Sequence, residues 1–144
     1  MTLKSLTADH VKRLAQFNEE YFLDGWTESM IISAFCTQRF FVIGAFIDED
    51  MIGYISYTIG IDSADIESVV VKPTERKKGI AFSLIENVEK HIKELGISKI
   101  LLEVRESNLP AISLYQKRDF RVISKRNKYY SDGENALVMI KELV

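Results

Sequence analysis

The alternation of apolar and polar positions is most regular over residues 79–95. Apolar residues recur there at steps of three, four and seven, and glutamate–lysine pairs lie on the opposite side. This spacing predicts an amphipathic helix with one buried stripe, followed by Gly96 at the position of a C-cap. Shorter helical patterns cover residues 7–21 and begin again at Thr27. In the second of these we expect three residues to face inward: Met30, Ile31 and Ala34.

Six further segments are rich in the β-branched and aromatic residues that favour strands. They are residues 40–47, 51–61, 64–71, 97–104, 120–130 and 136–141. A last short helix is expected around Pro110, because proline suits the first turn of a helix. The order of helices and strands predicts one mixed α/β (α+β) domain over residues 1–144, with helices flanking a mostly antiparallel sheet.

Composition narrows the chemistry that this domain can perform. Its 144 residues are 47% hydrophobic, so the chain can bury a core, and the net charge of −2 argues against disorder. The chain has one cysteine and two histidines, so a zinc hydrolase or a Ser/Cys–His triad would have to be built from His10 and His91 alone, and we expect no bound metal. No apolar run reaches the roughly 18 residues of a membrane span, and the N-terminus lacks a signal peptide, so we expect a cytoplasmic protein.

Basic residues form two clusters although the total charge is nearly balanced. A nucleic-acid-binding protein usually has a basic total, so we expect no nucleic acid as a partner. The first cluster lies between a predicted strand and the long helix, whereas the second follows the short helix around Pro110. The first contains Lys72, Arg76, Lys77 and Lys78, and the second contains Lys117, Arg118, Arg121, Lys125, Arg126 and Lys128.

The first basic cluster has the chemistry of an anion site. The start of a helix presents unpaired N–H groups and the positive end of the helix dipole. Gly79 lets the backbone approach a bulky anion closely, and Ala81 keeps the first turn small. Together with the cationic side chains, these features suit a pyrophosphate. The sequence contains neither a Walker loop nor the three-glycine dinucleotide fingerprint.

Two segments resemble the GNAT family of N-acetyltransferases. Val-x-Pro followed by Arg-x-x-Gly-x-Ala over residues 71–81, with a long helix after it, resembles that family's acetyl-coenzyme A site. Glu-Val-Arg-Glu-Ser-Asn and then Pro-Ala-Ile-Ser-Leu-Tyr over residues 103–115 is most similar to the ribosomal-protein-alanine N-acetyltransferase (RimI-type) branch. Residues 25–28 and the closing hairpin at residues 129–139 are also similar to that branch, so the resemblance covers almost the whole chain.

The chain departs from the family pattern at two places. Asp119 stands where the family usually has a glycine before a phenylalanine, but aspartate tolerates the left-handed backbone better than most residues. We therefore expect the fold to be kept at that turn. An extra residue separates Asn127 from the two tyrosines, which weakens the fit of the hairpin to a particular substrate.

The resemblance implies the GNAT fold, with acetyl-CoA bound where the central strands splay apart. It also implies that strand backbone holds the pantetheine arm and that loop amides hold the pyrophosphate. The residues that it assigns to the cofactor are Val69, Val70, Val71, Arg76, Lys77, Lys78, Gly79, Ile80, Ala81, Asn108 and Tyr115. The candidates for binding the acceptor are Trp26, Glu67, Tyr129 and Tyr130.

Direct acetyl transfer requires a neutral amine, a stabilised oxyanion and a proton for the departing thiolate. The resemblance gives the position of the base to Glu103, which would act through water. Tyr115 could donate the proton, and the backbone N–H of Val71 would hold the oxyanion. Glu67, on the preceding predicted strand, is a rival base.

The sequence leaves the acceptor open. The resemblance favours the N-terminal α-amine of a ribosomal protein, with alanine as the modified residue. A lysine side chain, a polyamine or an aminoglycoside is an alternative, and a non-catalytic acyl-CoA sensor is a third possibility. Both a monomer and a homodimer are compatible with the sequence. The acidic residues that could form a groove for a cationic acceptor are Asp24, Glu28, Asp62 and Asp65.

Overall fold

A seven-stranded sheet with helices on both faces makes up the computed structural model, which describes residues 1–22 and 24–143. The strands are β1 (Thr2–Leu6), β2 (Phe40–Ile47), β3 (Asp50–Ile59), β4 (Ala64–Val71), β5 (Lys99–Arg105), β6 (Arg121–Arg126) and β7 (Ala136–Glu142). The helices are α1 (Val11–Tyr21), α2 (Glu28–Cys36), α3 (Ile80–Glu94) and α4 (Leu109–Lys117). Short 3-10 helices at Ala8–His10 and Pro73–Glu75 precede α1 and α3.

The strand order in the sheet is β1-β2-β3-β4-β5-β7-β6. Neighbouring strands are antiparallel except β4 and β5, which are parallel and are joined by the crossover helix α3. The predicted mixed, mostly antiparallel sheet is therefore confirmed. The parallel pair lies at the centre of the sheet. The loop that carries the first basic cluster connects β4 to α3.

Helix α3 supplies the core on one face of the sheet. Its stripe of Leu84, Ile85, Val88 and Ile92 is fully buried, as the sequence periodicity predicts. Truncating any of these side chains to alanine should lower the free energy of unfolding by about 2–5 kcal/mol. The rigid packing of α3 fixes the position of its N-terminus relative to β4.

Helices α1 and α2 form a second core on the other face. They cover the half of the sheet that contains β1 to β4, with Leu14, Phe17 and Ile31 buried against Val42 and Tyr54. None of the helices in residues 1–22 and 24–143 combines the length and apolarity needed to cross a membrane.

Strand β1 was absent from the sequence-based prediction. Its sequence is largely polar, and only Leu6 is buried, because the strand lies at the edge of the sheet and pairs with β2 alone. An edge strand with one buried residue does not produce the apolar alternation on which strand prediction depends. Met30 was also predicted wrongly, since it is 47% exposed on α2 while Ile31 is buried.

Turns shorten two of the predicted strands. Strand β3 ends at Ile59 rather than residue 61, because the Gly60 N–H donates to the Ser63 carbonyl in a tight turn. Strand β6 ends at Arg126, so the tyrosines at 129 and 130 lie in the loop between β6 and β7. Asp119 adopts the left-handed backbone expected of it, with φ of 71°.

Candidate active site

The parallel strands β4 and β5 pair over three residues each and then separate. The pairing joins Ala64–Ile66 to Ile100–Leu102. Beyond these residues the two described strands pair with β3 and β7 but not with each other. The opening between them is the splay that the resemblance implied, and it exposes backbone groups in the middle of the sheet.

A β-bulge at Glu67 accompanies this separation. The register of β4 against β3 shifts by one residue there, so Glu67 has no counterpart on β3. The bulge reverses the side-chain alternation, and Ile66 therefore packs into the core under α3 whereas Val70 packs into the core under α1 and α2. As a result Val69, on the side of α3, lines the opening between the strands.

The backbone of Val69 and Val71 is directed toward the opening. The Lys72 N–H donates to the Ile52 carbonyl at 2.8 Å, and bonding groups alternate along an antiparallel pair, so the groups of Val69 and Val71 point away from β3. Val70 is 4% exposed in the other core, so its side chain is directed away from the opening.

A cleft of about 1050 Å³ occupies the gap between the strands and the adjoining loops. It brings together predicted site residues from five parts of the chain. Those that line it are Trp26, Glu67, Val69, Glu103, Asn108, Tyr115, Tyr129 and Tyr130. Val70, Val71 and the loop residues 76–81 do not line this cleft.

The loop before α3 has the geometry of an anion cradle. Gly79 has φ of 81°, and a Cβ built there would meet nothing within 4 Å, so the space over the helix start is open. No side chain caps this helix, which leaves the first-turn amides, including those of Ile80 and Ala81, available to a ligand. Lys77 also has a positive φ, of 65°. The residues present therefore fit a pyrophosphate group.

The basic side chains of this loop are held by neighbouring groups. The Arg76 Nε donates to the Val71 carbonyl at 3.2 Å, and the Lys78 ammonium pairs with Glu75 at 2.9 Å. The Lys78 side chain is 59% exposed, so its pair with Glu75 is weak and leaves the ammonium free to turn toward an anion.

Three carboxylates meet where β4 and β5 separate. Burial raises the pKa of the Glu67 carboxyl, and the negative charges of Asp65 and Glu103 raise it further. Burial likewise raises the pKa of Asp65, with a second contribution from Glu103. Glu103 forms an ion pair with Arg126, with 3.2 Å between Nε and Oε1, and its own side chain is 29% exposed. Glu67 therefore binds a proton more readily than an ordinary glutamate does.

Tyr115 lies on α4 with its ring 7% exposed against the α3 core, and it borders the cleft. Burial raises the pKa of its phenol, so the hydroxyl stays protonated and can donate a hydrogen bond over the physiological range. Asn108 caps α4, because its side-chain oxygen accepts a hydrogen bond from the Ala111 N–H at 3.3 Å. This cap fixes the start of the helix that presents Tyr115.

Arg105 joins the two loops that border the cleft, a role that sequence reasoning missed. Its guanidinium donates to Asp24 at 2.7 and 2.8 Å, to Asp132 at 2.8 Å and to Glu134 at 3.0 Å. It also lies over the Tyr130 ring, 4.1 Å from the centroid. The α1–α2 and β6–β7 loops are thereby tied to the end of β5, and Tyr130 is held at the cleft.

The other two predicted acceptor residues lie on the two different loops that border the cleft. Trp26 stacks on Phe40 with ring centroids 5.5 Å apart, so it is part of the wall formed by the α1–α2 loop. Tyr129 is 51% exposed on the β6–β7 loop. A hydrogen bond to the Glu103 carboxylate raises the pKa of the Tyr129 phenol, with a smaller contribution from burial.

A family model and several known proteins are similar to this chain in sequence. A family model described as the acetyltransferase (GNAT) family matches residues 11–120. An N-alpha-acetyltransferase of Saccharolobus solfataricus is 28% identical over 155 residues, covering 99% of this chain and 93% of that protein. A putative ribosomal protein bS18-alanine N-acetyltransferase of Bacillus subtilis is 36% identical over 93 residues, covering 64% of this chain and 62% of that protein.

A solved structure shares the fold across nearly the whole chain. The crystal structure of the ribosomal-protein-S18-alanine N-acetyltransferase from Escherichia coli matches with a TM-score of 0.90 at 24% identity. The match covers 99% of this chain and 93% of that one. This chain and that protein therefore share the same overall fold.

Proposed function

The chain belongs to the acetyltransferase (GNAT) family, and from this we propose that it transfers the acetyl group of acetyl-CoA to the N-terminal α-amine of a protein. One observation carries the proposal: the cleft at the separated strands combines exposed strand backbone, a carboxylate cluster and a protonated phenol. The relatives named as N-terminal acetyltransferases support this choice of acceptor.

Acetyl-CoA would bind along β4 and the loop before α3, because that loop fits a pyrophosphate. The amides of Gly79, Ile80 and Ala81 would hold the pyrophosphate, with Arg76, Lys77 and Lys78 around them. The backbone of Val69 and Val71 would pair with the pantetheine arm, and Val70 would contribute at most its backbone. Asn108 and Tyr115 would border the same arm. Acetyl-CoA supplies the acetyl group in activated form, as a thioester.

Side chains of the cleft would accept the proton of the acceptor amine and donate a hydrogen bond to the leaving sulfur. We assign the removal of the proton from the amine, through water, to Glu103, with Glu67 and its raised pKa as the rival base. An α-amine has a pKa of about 8, so roughly a tenth of it is neutral at pH 7 and a carboxylate suffices as the base. Tyr115 would donate a hydrogen bond to the leaving sulfur. The Val71 N–H, which points into the same opening although Val71 does not line the cleft, would stabilise the oxyanion.

The acceptor residues are those that border the cleft on its open side. Trp26, Tyr129 and Tyr130 form walls beside the carboxylates, and Arg105 holds the two wall-forming loops in place. We propose a ribosomal protein with an N-terminal alanine as the acceptor, and the cytoplasm as the place of the reaction. The relative from Bacillus subtilis is named for a reaction of this kind.

A cationic small molecule is the second candidate acceptor. The observation that favours it is the cluster of Asp65, Glu67 and Glu103, which gives the cleft a concentration of negative charge. A polyamine or a lysine side chain would be attracted to such a cleft. Its amine has a pKa near 10.4, however, so only a few parts in ten thousand are neutral at pH 7, and the demand on the base is greater.

A panel of acceptors tests the proposed function. The release of free CoA from acetyl-CoA is measured with three acceptors in separate reactions. The first is a peptide with a free N-terminal alanine, the second is a peptide with a blocked α-amine and an internal lysine, and the third is spermidine. We expect kcat/KM to be at least 10-fold higher for the free α-amine. Glu103→Gln and Tyr115→Phe should each lower kcat by about 10²- to 10⁴-fold with little change in cofactor affinity. Turnover of spermidine alone would contradict the proposal.

A further inference from the structure

The carboxylates of the cleft are partly neutralised by one cation from the edge of the sheet. Two cationic side chains line the cleft in the described part of the chain, Arg105 and Arg126. The guanidinium of Arg105 is shared among carboxylates of the two bordering loops. Arg126 is therefore the cation that faces Glu103, with Nε 3.2 Å from Oε1.

Arg126 reaches this position from the last residue of β6. The strands β5, β7 and β6 lie side by side, and Arg126 stands opposite Ala136, which stands opposite Arg105. The Arg126 side chain thus extends over the sheet face to Glu103. Its guanidinium also lies over the Tyr129 ring, 5.8 Å from the centroid. Cation, phenol and carboxylate meet at the mouth of the cleft.

This ion pair is of the kind that a ligand can displace. The Arg126 side chain is 57% exposed, and an exposed pair contributes little because water screens it. An acceptor ammonium that approaches Glu103 must share the carboxylate with the guanidinium or replace it. A single ammonium can do so, whereas each additional ammonium in the cleft is repelled by the guanidinium.

We propose that Arg126 is a specificity-determining residue that selects acceptors with one positive charge over polycationic amines. The proposal rests on the proposed function, since it concerns the acceptor side of the same cleft. It explains how a cleft with three carboxylates can favour a protein N-terminus over a polyamine. At such a screened site each additional unit charge should change affinity roughly 3-fold, so the two additional charges of spermidine should change it about 10-fold.

The test compares Arg126→Gln with a matched control on the same strand. Arg121 is also on β6 and pairs with a glutamate, Glu142, at 2.9 Å, and its side chain is 65% exposed. At saturating acetyl-CoA, KM is measured for an alanine-terminal peptide without lysine or arginine and for spermidine. Binding of spermidine in the presence of CoA is measured separately by calorimetry, which does not depend on turnover.

We expect Arg126→Gln to lower the KM and the dissociation constant of spermidine about 10-fold more than it lowers the KM of the peptide. Arg126→Lys should behave as the wild type, and so should Arg121→Gln. Equal effects on both acceptors, the same effect from Arg121→Gln, or no spermidine binding by any variant would overturn the proposal. A wild type that acetylates no peptide would contradict the proposed function, while the calorimetry would still decide the role of Arg126.

Discussion

At the scale of the residue, Glu67 connects the bulge in β4 with the chemistry of the cleft. The bulge removes its counterpart on β3, and burial and two neighbouring carboxylates then raise its pKa. A carboxyl whose pKa is raised on folding binds protons more tightly in the native state, so folding stability is lost as the pH rises through that pKa. The raised pKa of Glu67 makes it a stronger base than an ordinary glutamate and also destabilises the fold when the carboxyl is ionised.

Glu67→Gln should relieve that penalty. We expect the variant to have a higher Tm than the wild type at pH 7, well above the ordinary glutamate pKa, and the same Tm below that pKa, where both side chains are neutral. Thermal unfolding of the two proteins between pH 3.5 and pH 8 measures the difference. A Tm gain that persists unchanged at the acidic end would contradict the electrostatic explanation.

The sequence predicted which residues belong to the site better than it predicted the contacts between side chains. Glu103 and Tyr115 could be named from the sequence because they fall within a recognisable segment, and Glu67 because it lies on the preceding predicted strand. All three border the cleft. The roles of Arg105 and Arg126 could not be predicted. Arg105 stands within a segment that was recognised, but its partners lie 81, 27 and 29 residues away along the chain, and nothing local indicates them.

At the scale of the element, the start of α3 depends on one glycine. Gly79 has a positive φ and open space above it, so a side chain there would be strained and would fill the cradle. A carboxylate at this helix start would in addition repel a phosphate. Gly79→Glu should therefore abolish the rise in Tm that acetyl-CoA produces in the wild type.

Gly96→Glu is the matched control for that variant. Gly96 has φ of 75° and open space around its Cα, but it lies at the other end of the same helix. We expect this variant to lose stability of its own, because a left-handed backbone costs roughly 1–2 kcal/mol for a residue with a side chain. The shift with acetyl-CoA should remain. Retention of the shift in Gly79→Glu would refute the assignment of the loop.

Arg105 is the contact that links the two loops beside the cleft. Arg105→Gln leaves Asp24, Asp132 and Glu134 without their common cation, so the loops should separate. We expect the KM of the acceptor peptide to rise about 10- to 100-fold, with acetyl-CoA affinity unchanged. Steady-state kinetics with each substrate varied in turn measure this, with Arg121→Gln as the control. An equal loss of cofactor affinity would mean that Arg105 supports the whole sheet instead.

Some helices and strands could be predicted from the sequence and others could not. Helix α3 and strands β2 and β4 were predicted almost to the residue, because their periodicity is strong and caps or turns flank them. Strand β1 escaped prediction because its pairing, and not its composition, makes it a strand. The predicted ends of β3 and β6 were too late because the apolar and aromatic pattern continues into the turns that follow each strand.

At the scale of the whole molecule, the separation of β4 from β5 determines where the parts of the candidate site lie. It exposes the backbone of β4 to a ligand, places the loop before α3 at one end of the opening, and leaves the carboxylates at the other. The sequence indicated a mixed sheet but not where it opens, because the bulge at Glu67 has no local signal. The resemblance to a known family supplied the expectation of a splay that periodicity could not.

In the proposed function, the cleft directs acetyl transfer to a protein N-terminus. The most direct measurement uses one peptide that carries a free N-terminal alanine and an internal lysine, incubated with the enzyme and acetyl-CoA. Fragmentation mass spectrometry then locates the added acetyl group. We expect one acetyl group per peptide, on the α-amine, and none in a reaction with the Gly79→Glu variant. Acetylation of the lysine with the α-amine left free would contradict it.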